Sequence, residues 1–353
     1  MKIAPIHRLM LASDKLEPIL IHTGQHYDKD MSKIFFEDLD LPKPHFYLGV
    51  GSGTHAQQTA AIMIKLEKTI VELKPGLVLV VGDVNSTLAA SIVASKLHIP
   101  IAHVEAGLRS FDRTMPEEIN RTLTDAVADF LFITEESGRK NLLNEGIKPQ
   151  KIHFVGNVMI DSLLFNKTKA EQSTIIEDLN LNSEQFVLLT LHRPSNVDLQ
   201  ENFEKIIDVI NNIQEKNIVI FPIHPRTKKM IKQFNMETRI QQMKNFRLIE
   251  PLGYLDFLKL MSHSFFVLTD SGGIQEETTV LSIPCITLRK NTERPATIEL
   301  GTNVLVGMNP NRIIEESYKI MDGKAKQGQI PPLWDGKAAA RIVSVLEKNL
   351  HLN

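Results

Sequence analysis

Short apolar runs rich in β-branched residues alternate along the chain with longer stretches whose apolar positions recur every three or four residues. The first kind reads as strands, the second as amphipathic helices. In the first half, strands are predicted over 17–23, 77–81, 99–104, 130–133 and 152–155, and helices over 55–73, 86–97, 116–128 and 135–145. After a polar, partly helical connection from Gly156, a second series places strands over 186–190, 218–221, 246–249 and 265–269. Helices over 202–214, 227–234 and 254–262 separate them. Strand–helix–strand alternation of this kind builds parallel sheets through right-handed crossovers. The chain opens with a helical pattern in which Ile3, Ile6 and Met10 share a side, where a sheet domain ordinarily opens with a strand. Residues 23–41 read as a polar loop and then an amphipathic helix, and a last helix over 336–350 buries Ile342, Val345 and Leu346.

Two such series imply an α/β protein of two doubly wound domains facing a cleft, the preferred place for a ligand. The predicted boundaries are 1–160, 161–332 and a closing segment 333–353. At 353 residues and 42% hydrophobic, the chain can bury two cores. Its 40 basic and 42 acidic side chains leave a net charge of -2, which gives no electrostatic case for nucleic acid or a membrane surface. The single cysteine, Cys285, excludes an internal disulfide and reads as a small core residue in a strand-like stretch. No apolar segment reaches the ~18 residues of a membrane span, and the start lacks a signal-peptide pattern. The expectation is a cytoplasmic protein.

Three carboxylates carry the candidate chemistry of the first half. Asp83 and Glu105 each follow or end an apolar strand, where they would look into the crevice beyond the strand ends. Glu117 lies in Thr114-Met115-Pro116-Glu117, which has the form of a capping box at the start of a helix burying Ile119, Leu123 and Val127. Acids are common at turns and helix starts, yet several in one pocket can push their pKa values apart and divide acid and base roles. In the second half, Asp270-Ser271-Gly272-Gly273 stands between a strand and a helix, where backbone N–H groups can hold phosphate. Glu277, one turn on, either meets ribose hydroxyls or simply favours a helix start. His192-Arg193-Pro194 and His224-Pro225-Arg226 each follow a strand, and Arg294 adds a further candidate anion ligand. Neither of these histidines has metal-ligand spacing with a third ligand, so no metal is expected.

Taken together, TGQH at 23–26, GDVNSTLA at 82–89, HVEAGLRS at 103–110, PEEINR at 116–121, VGNVMID at 155–161, HRPSN at 192–196, TDSGGIQEE at 269–277 and TERP at 292–295 resemble the non-hydrolysing UDP-N-acetylglucosamine 2-epimerases. The resemblance runs over essentially the whole chain. It implies a glycosyltransferase-B-type fold with the last helix returning to the first domain, a homodimer, no cofactor, and a UDP-sugar as the small-molecule partner. The implied reaction interconverts UDP-N-acetylglucosamine and UDP-N-acetylmannosamine for cell-surface polysaccharide. UDP is eliminated anti to the C2 hydrogen and re-added through a 2-acetamidoglucal. By resemblance Asp83, Glu105 and Glu117 match the acids of that chemistry, and His192 matches a histidine near the UDP phosphates. Lys2, Ser271, Gly272, Gly273, Glu277 and Arg294 match UDP-binding positions, and Phe257 matches a position near the uracil or a core helix residue.

Two departures accompany the resemblance. The family opens with a strand and a Gly-Thr-Arg-Pro-Glu segment, whereas here the sequence starts at Met1-Lys2-Ile3-Ala4-Pro5. A truncated or misassigned start, or an impaired protein, is the expectation from that difference. Gln25 and His26 match a regulatory substrate site, but Ser52 and Gly53 stand where its Arg and Gln belong, which argues against allosteric activation. The rival readings are a 2-epimerase of a UDP-diacetamido uronic acid, a glycosyltransferase of the same fold, and an inactive nucleotide-sugar-binding protein.

Overall fold

Each apolar run ends in a polar turn that leads into a helix, so consecutive strands come to lie side by side and pair in parallel. The computed structural model describes residues 1–25, 41–181 and 185–350. It divides into two units, residues 1–164 with 332–353, and residues 165–331. The first boundary falls inside the helix Val158–Ala170.

In the first unit, β3 (Val78–Val81), β4 (Ile101–Ala106), β5 (Phe130–Ile133) and β6 (Ile152–Phe154) form a parallel sheet in that order. Earlier in the chain, β1 (Ile21–His22) and β2 (Phe46–Tyr47) pair with each other. Helices cover the four-stranded sheet on both faces, as an all-parallel sheet requires. One core joins Leu66 and Ile70 of the helix His55–Leu73 to Val93, Leu131 and Leu142. The other joins Ile6, Val104, Phe132 and Val155 to Ile342 and Leu346 of the helix Ala338–Asn349. The helical pattern at the chain start is thus a real helix, Ile3–Leu11, packed on the last one, with Ile6 and Ile342 fully buried. Burying each such side chain stabilises by roughly 1.5–3 kcal/mol. The last helix is held at its start by a distant carboxylate, since Asp161 accepts from the backbone N–H of Ala338 and Ala339 at 3.1 and 2.7 Å.

The second unit contains β7 (Phe186–Thr190), β8 (Ile218–Pro222), β9 (Phe246–Ile249), β10 (Phe266–Thr269), β11 (Cys285–Thr287) and β12 (Asn303–Leu305). Their order, β12-β11-β10-β7-β8-β9, is the doubly wound Rossmann arrangement, with all pairs parallel. The winding direction reverses between β7 and β10, and Thr190 lies opposite Thr269 there. Whatever follows those two residues therefore meets at the switch point. Cys285 is a buried residue of β11 whose thiol is pushed up to about 11 by burial. The short strand β12 and the helices Pro295–Glu299 and Pro310–Met321 were not among the predicted elements. The amphipathic helix expected before residue 41 falls on residues outside those described.

Candidate active site

β3 gives way to Gly82, whose φ of +72° turns the chain sharply and presents Asp83 just ahead of the helix Asn85–Lys96. The Asp83 carboxylate is paired with Arg121, and the backbone carbonyl of Asp83 accepts from Asn120 at 2.9 Å. Both partners come from the helix Pro116–Val127. Arg121 is in turn fixed by Glu118, Nη1 to Oε2 at 2.6 Å. Glu118 also accepts from the backbone N–H of Ser110 and Phe111, each at 2.9 Å. A buried carboxylate so surrounded locks the loop after β4 to the helix that follows it.

Glu105 lies in β4 with φ +71°, a left-handed conformation that a non-glycine residue adopts only when its surroundings enforce it. The pairing of β4 with β5 slips there by one residue, so the bulge re-aims the side chain. One oxygen of Glu105 is paired with Lys2; the other, Oε1, is buried with no hydrogen-bond partner among the described residues. Leaving such an acceptor unmet costs about 1–3 kcal/mol, which is tolerable at a working site. Lys2, expected on phosphates, sits within this unit on Glu105, and a Cβ at Gly82 would stand 3.4 Å from its Nζ.

Glu117 is half-buried, and no described residue holds its carboxylate. The capping box expected from Thr114 and Glu117 does not form. Met115 is the N-cap, without a side-chain cap bond, and Pro116 takes the first helical position. Thr114 is drawn away by Asp112, which accepts both its backbone N–H and its hydroxyl at 3.0 and 2.6 Å. The expected apolar face is also corrected: this helix buries Glu118, Asn120, Arg121, Thr124 and Asp125, while Leu123 is exposed. Its inward face is polar because it supports the acids. Gln25 accepts from the Ser86 backbone N–H at 3.1 Å and tethers the start of the Asn85–Lys96 helix. His26 lies outside the described residues.

In the second unit the switch point assembles around Asp270, fully buried just beyond β10. Its carboxylate accepts from the backbone N–H of His192 and Arg193 at 3.1 and 2.9 Å, from the Asn196 amide at 3.1 Å, and pairs with His192 Nδ1 at 2.9 Å. Burial alone would raise this carboxyl, but His192 and the two amides outweigh it and hold the group below the usual range. With Nδ1 committed to Asp270, Nε2 is the His192 atom able to meet a ligand. The helix Gly272–Leu281 begins here, with Ser271 as N-cap, and Arg294 lies over its first turn: a Cβ on Gly272 would stand 2.6 Å from Arg294 Nη1. Arg294 is braced by Glu276 at 2.9 Å and Glu293 at 3.5 Å. Arg294 beside the helix start, and His192 on the Asp270 that precedes it, are candidate donors to an anion.

Glu277 is buried, and burial pushes its carboxyl up to about 7, against the hydrogen bond from Tyr254 at 2.9 Å and with the help of neighbouring Glu276. Phe257, in the helix Tyr254–His263, is half-buried and stands outside the core cluster. The second His-Pro-Arg pattern is a cap: His224 Nδ1 accepts from the Arg226 backbone N–H at 3.1 Å, and Arg226 pairs with Asp198 at 2.9 Å. Its ring lies 5.5 Å from that of His192.

Sequence reasoning assigned no individual role to Glu118 or Arg121 and named Asp270 only as part of the Asp270–Gly273 turn, although all three hold other site residues in place. Among the described residues no group of three or more His, Cys, Asp or Glu side chains is placed to hold a metal ion, and no helix is long and apolar enough to cross a membrane.

The family model for UDP-N-acetylglucosamine 2-epimerase matches residues 9–347. The UDP-N-acetylglucosamine 2-epimerase of Methanocaldococcus jannaschii is 47% identical over 98% of this chain and 95% of its own length. The UDP-2,3-diacetamido-2,3-dideoxy-D-glucuronate 2-epimerase of Pseudomonas aeruginosa is 42% identical over 98% and 96%. Among solved structures, the Methanocaldococcus jannaschii enzyme in complex with UDP-GlcNAc and UDP aligns with a TM-score of 0.91 over 99% of this chain and 96% of that one. Two Rossmann-like units of the glycosyltransferase-B type agree with that match, and the chain belongs to the UDP-N-acetylglucosamine 2-epimerase family of isomerases.

Proposed function

We propose that this protein interconverts UDP-N-acetylglucosamine and UDP-N-acetylmannosamine. The observation that carries the reading is the set of acids in the first unit: Asp83 just after β3 and clamped by Arg121, Glu105 in β4 held by a bulge with an unmet oxygen, and Glu117 at the start of the helix Pro116–Val127, unclaimed by any described residue. Inverting C2 of a hexose needs a proton removed from one face and returned on the other, and this set supplies more than one group for that. A base takes the C2 hydrogen while the C1–O bond to UDP breaks, giving 2-acetamidoglucal and UDP. Protonation of C2 on the opposite face, with a phosphate oxygen of UDP attacking C1, gives the epimer. The second unit holds the expelled UDP. His192 Nε2, Arg294 and the start of the Gly272–Leu281 helix meet the diphosphate at Ser271, Gly272 and Gly273, while Glu277 takes ribose hydroxyls and Phe257 stacks on the uracil. The reaction needs no cofactor, and we place it in the cytoplasm, in a homodimer.

The test is incubation with UDP-N-acetylglucosamine in D₂O without acceptor. The expected result is deuterium at C2 and formation of UDP-N-acetylmannosamine; release of UDP with transfer to an added acceptor would instead mark a glycosyltransferase. The 42% identity to a diacetamido-glucuronate epimerase supports a second substrate reading. Faster C2 exchange on that uronate than on UDP-N-acetylglucosamine would favour it.

A further inference from the structure

We propose that His103 is a positioning residue for the proton-transfer site, held as an imidazolium whose two N–H groups clamp the carbonyl of Gly82 and the carboxylate of Asp125. The inference rests on the epimerase reading for its catalytic consequence, but the clamp itself is geometric. His103 is fully buried in β4, two residues before Glu105. Its Nε2 lies 2.9 Å from the Gly82 carbonyl oxygen and its Nδ1 lies 2.6 Å from Asp125 Oδ1. A backbone carbonyl can only accept, so Nε2 carries a proton. Asp125 is an ionised carboxylate, because its other oxygen accepts from the Gly107 backbone N–H at 3.0 Å and from Arg109 at 2.7 Å. An ionised carboxylate also only accepts, so Nδ1 carries a proton too.

The charges around the ring close this argument. From the helix Pro116–Val127 comes Asp125; from the loop after β4 comes Arg109, whose guanidinium is shared with Glu145 at 2.6 Å. Two cations, His103 and Arg109, stand against two anions, Asp125 and Glu145. A neutral histidine would leave Arg109 as the one cation shared between buried Asp125 and the partly exposed Glu145. Close to Gly82 lie Lys2 and Glu105, and Asp83 is the next residue. The ring therefore fixes the turn that carries one candidate acid, from the strand that carries another. It also places a positive charge behind both.

The experiment uses the full chain labelled with ¹⁵N-histidine, read by long-range ¹H–¹⁵N correlation at a pH of about 8, where an ordinary histidine is neutral. The expected result is one buried ring with both nitrogens protonated; a buried ring in a neutral tautomer overturns the proposal. In parallel, His103→Asn is expected to lower kcat on the order of 10²-fold. KM and UDP affinity should be unchanged, and the acid limb of the pH–rate profile should move to higher pH because the cation favouring nearby carboxylates is gone. Wild-type kcat and an unmoved profile in a folded H103N would also overturn it. Should H103N not fold, the ring spectrum of the unsubstituted protein decides alone. Absence of C2 exchange in the unsubstituted protein would defeat the epimerase reading, while the ring spectrum would still test the clamp independently.

Discussion

Glu118 and Arg121 stand one helical turn apart and meet at 2.6 Å, and the other arm of that guanidinium holds Asp83. A pair at this spacing on an exposed helix would contribute a few tenths of a kcal/mol. Here both side chains are about nineteen-twentieths buried, so the pair organises the site. Breaking a buried pair by removing one charge costs about 3–5 kcal/mol. Glu118→Gln should therefore lower the unfolding free energy by that order, read as a lower urea midpoint, and also slow turnover, because Arg121 loses its brace. An unchanged midpoint would show that the pair is dispensable.

Replacing Asp83, Glu105 or Glu117 by its amide removes a proton-transfer group while keeping its shape. Each substitution is expected to slow C2–H/D exchange by roughly 10²–10⁴-fold. UDP binding measured by calorimetry should stay near the wild-type value, since the candidate anion donors lie in the other unit. Rapid exchange in all three variants would remove these acids from the mechanism.

Glu277 provides a pH test. Its folded-state carboxyl is raised to about 7 by burial, so the folded protein binds more protons there than the unfolded chain does. The associated stability is present below the ordinary carboxylate range, near 4.5, and is lost as pH rises through about 7. Glu277→Gln, which cannot ionise, should abolish that part of the slope. The difference in unfolding free energy between wild type and variant, measured from about pH 4 to about pH 8, should change in the variant's favour with rising pH; a flat difference would contradict the raised value.

Phe111 has φ +59°, is 76% exposed, and is held in that conformation through its backbone N–H, which donates to Glu118. A left-handed non-glycine residue costs roughly 1–2 kcal/mol. Phe111→Gly should recover about half or more of that, partly offset by the greater freedom of glycine in the unfolded chain. Thermal unfolding should register the gain as a rise in Tm.

Most of the architecture was readable because apolar runs of strand length and three-to-four-residue periodicities are local signals. The strands Phe130–Ile133, Phe186–Thr190 and Phe246–Ile249 and the helix His55–Leu73 occur at the predicted residues. β12 and the Pro295–Glu299 helix were too short to show a period. Helix Pro116–Val127 misled on its inward face, because pattern reading assumes that apolar residues go inside, whereas this helix turns Asn120 and Arg121 onto Asp83. Strand ends and a helix start marked the three acids, and the resemblance matched them by position. It could not supply the partners, since nothing in the spacing of Glu118 and Arg121 separates a buried clamp from an ordinary surface pair. Asp270 was likewise hidden among the turn residues it resembles.

The return of the last helix to the first unit has a consequence during synthesis. Ile342 and Leu346 complete a core begun by Ile6, Val104 and Phe132, so that core stays open until residues 342–346 have left the ribosome. The continuous middle segment, 165–331, is released earlier with the six strands described in it. Although domains usually mature from the amino end onward, in this molecule the part translated first is the part finished last, and a chaperone binding nascent chains should find its target in the opening residues.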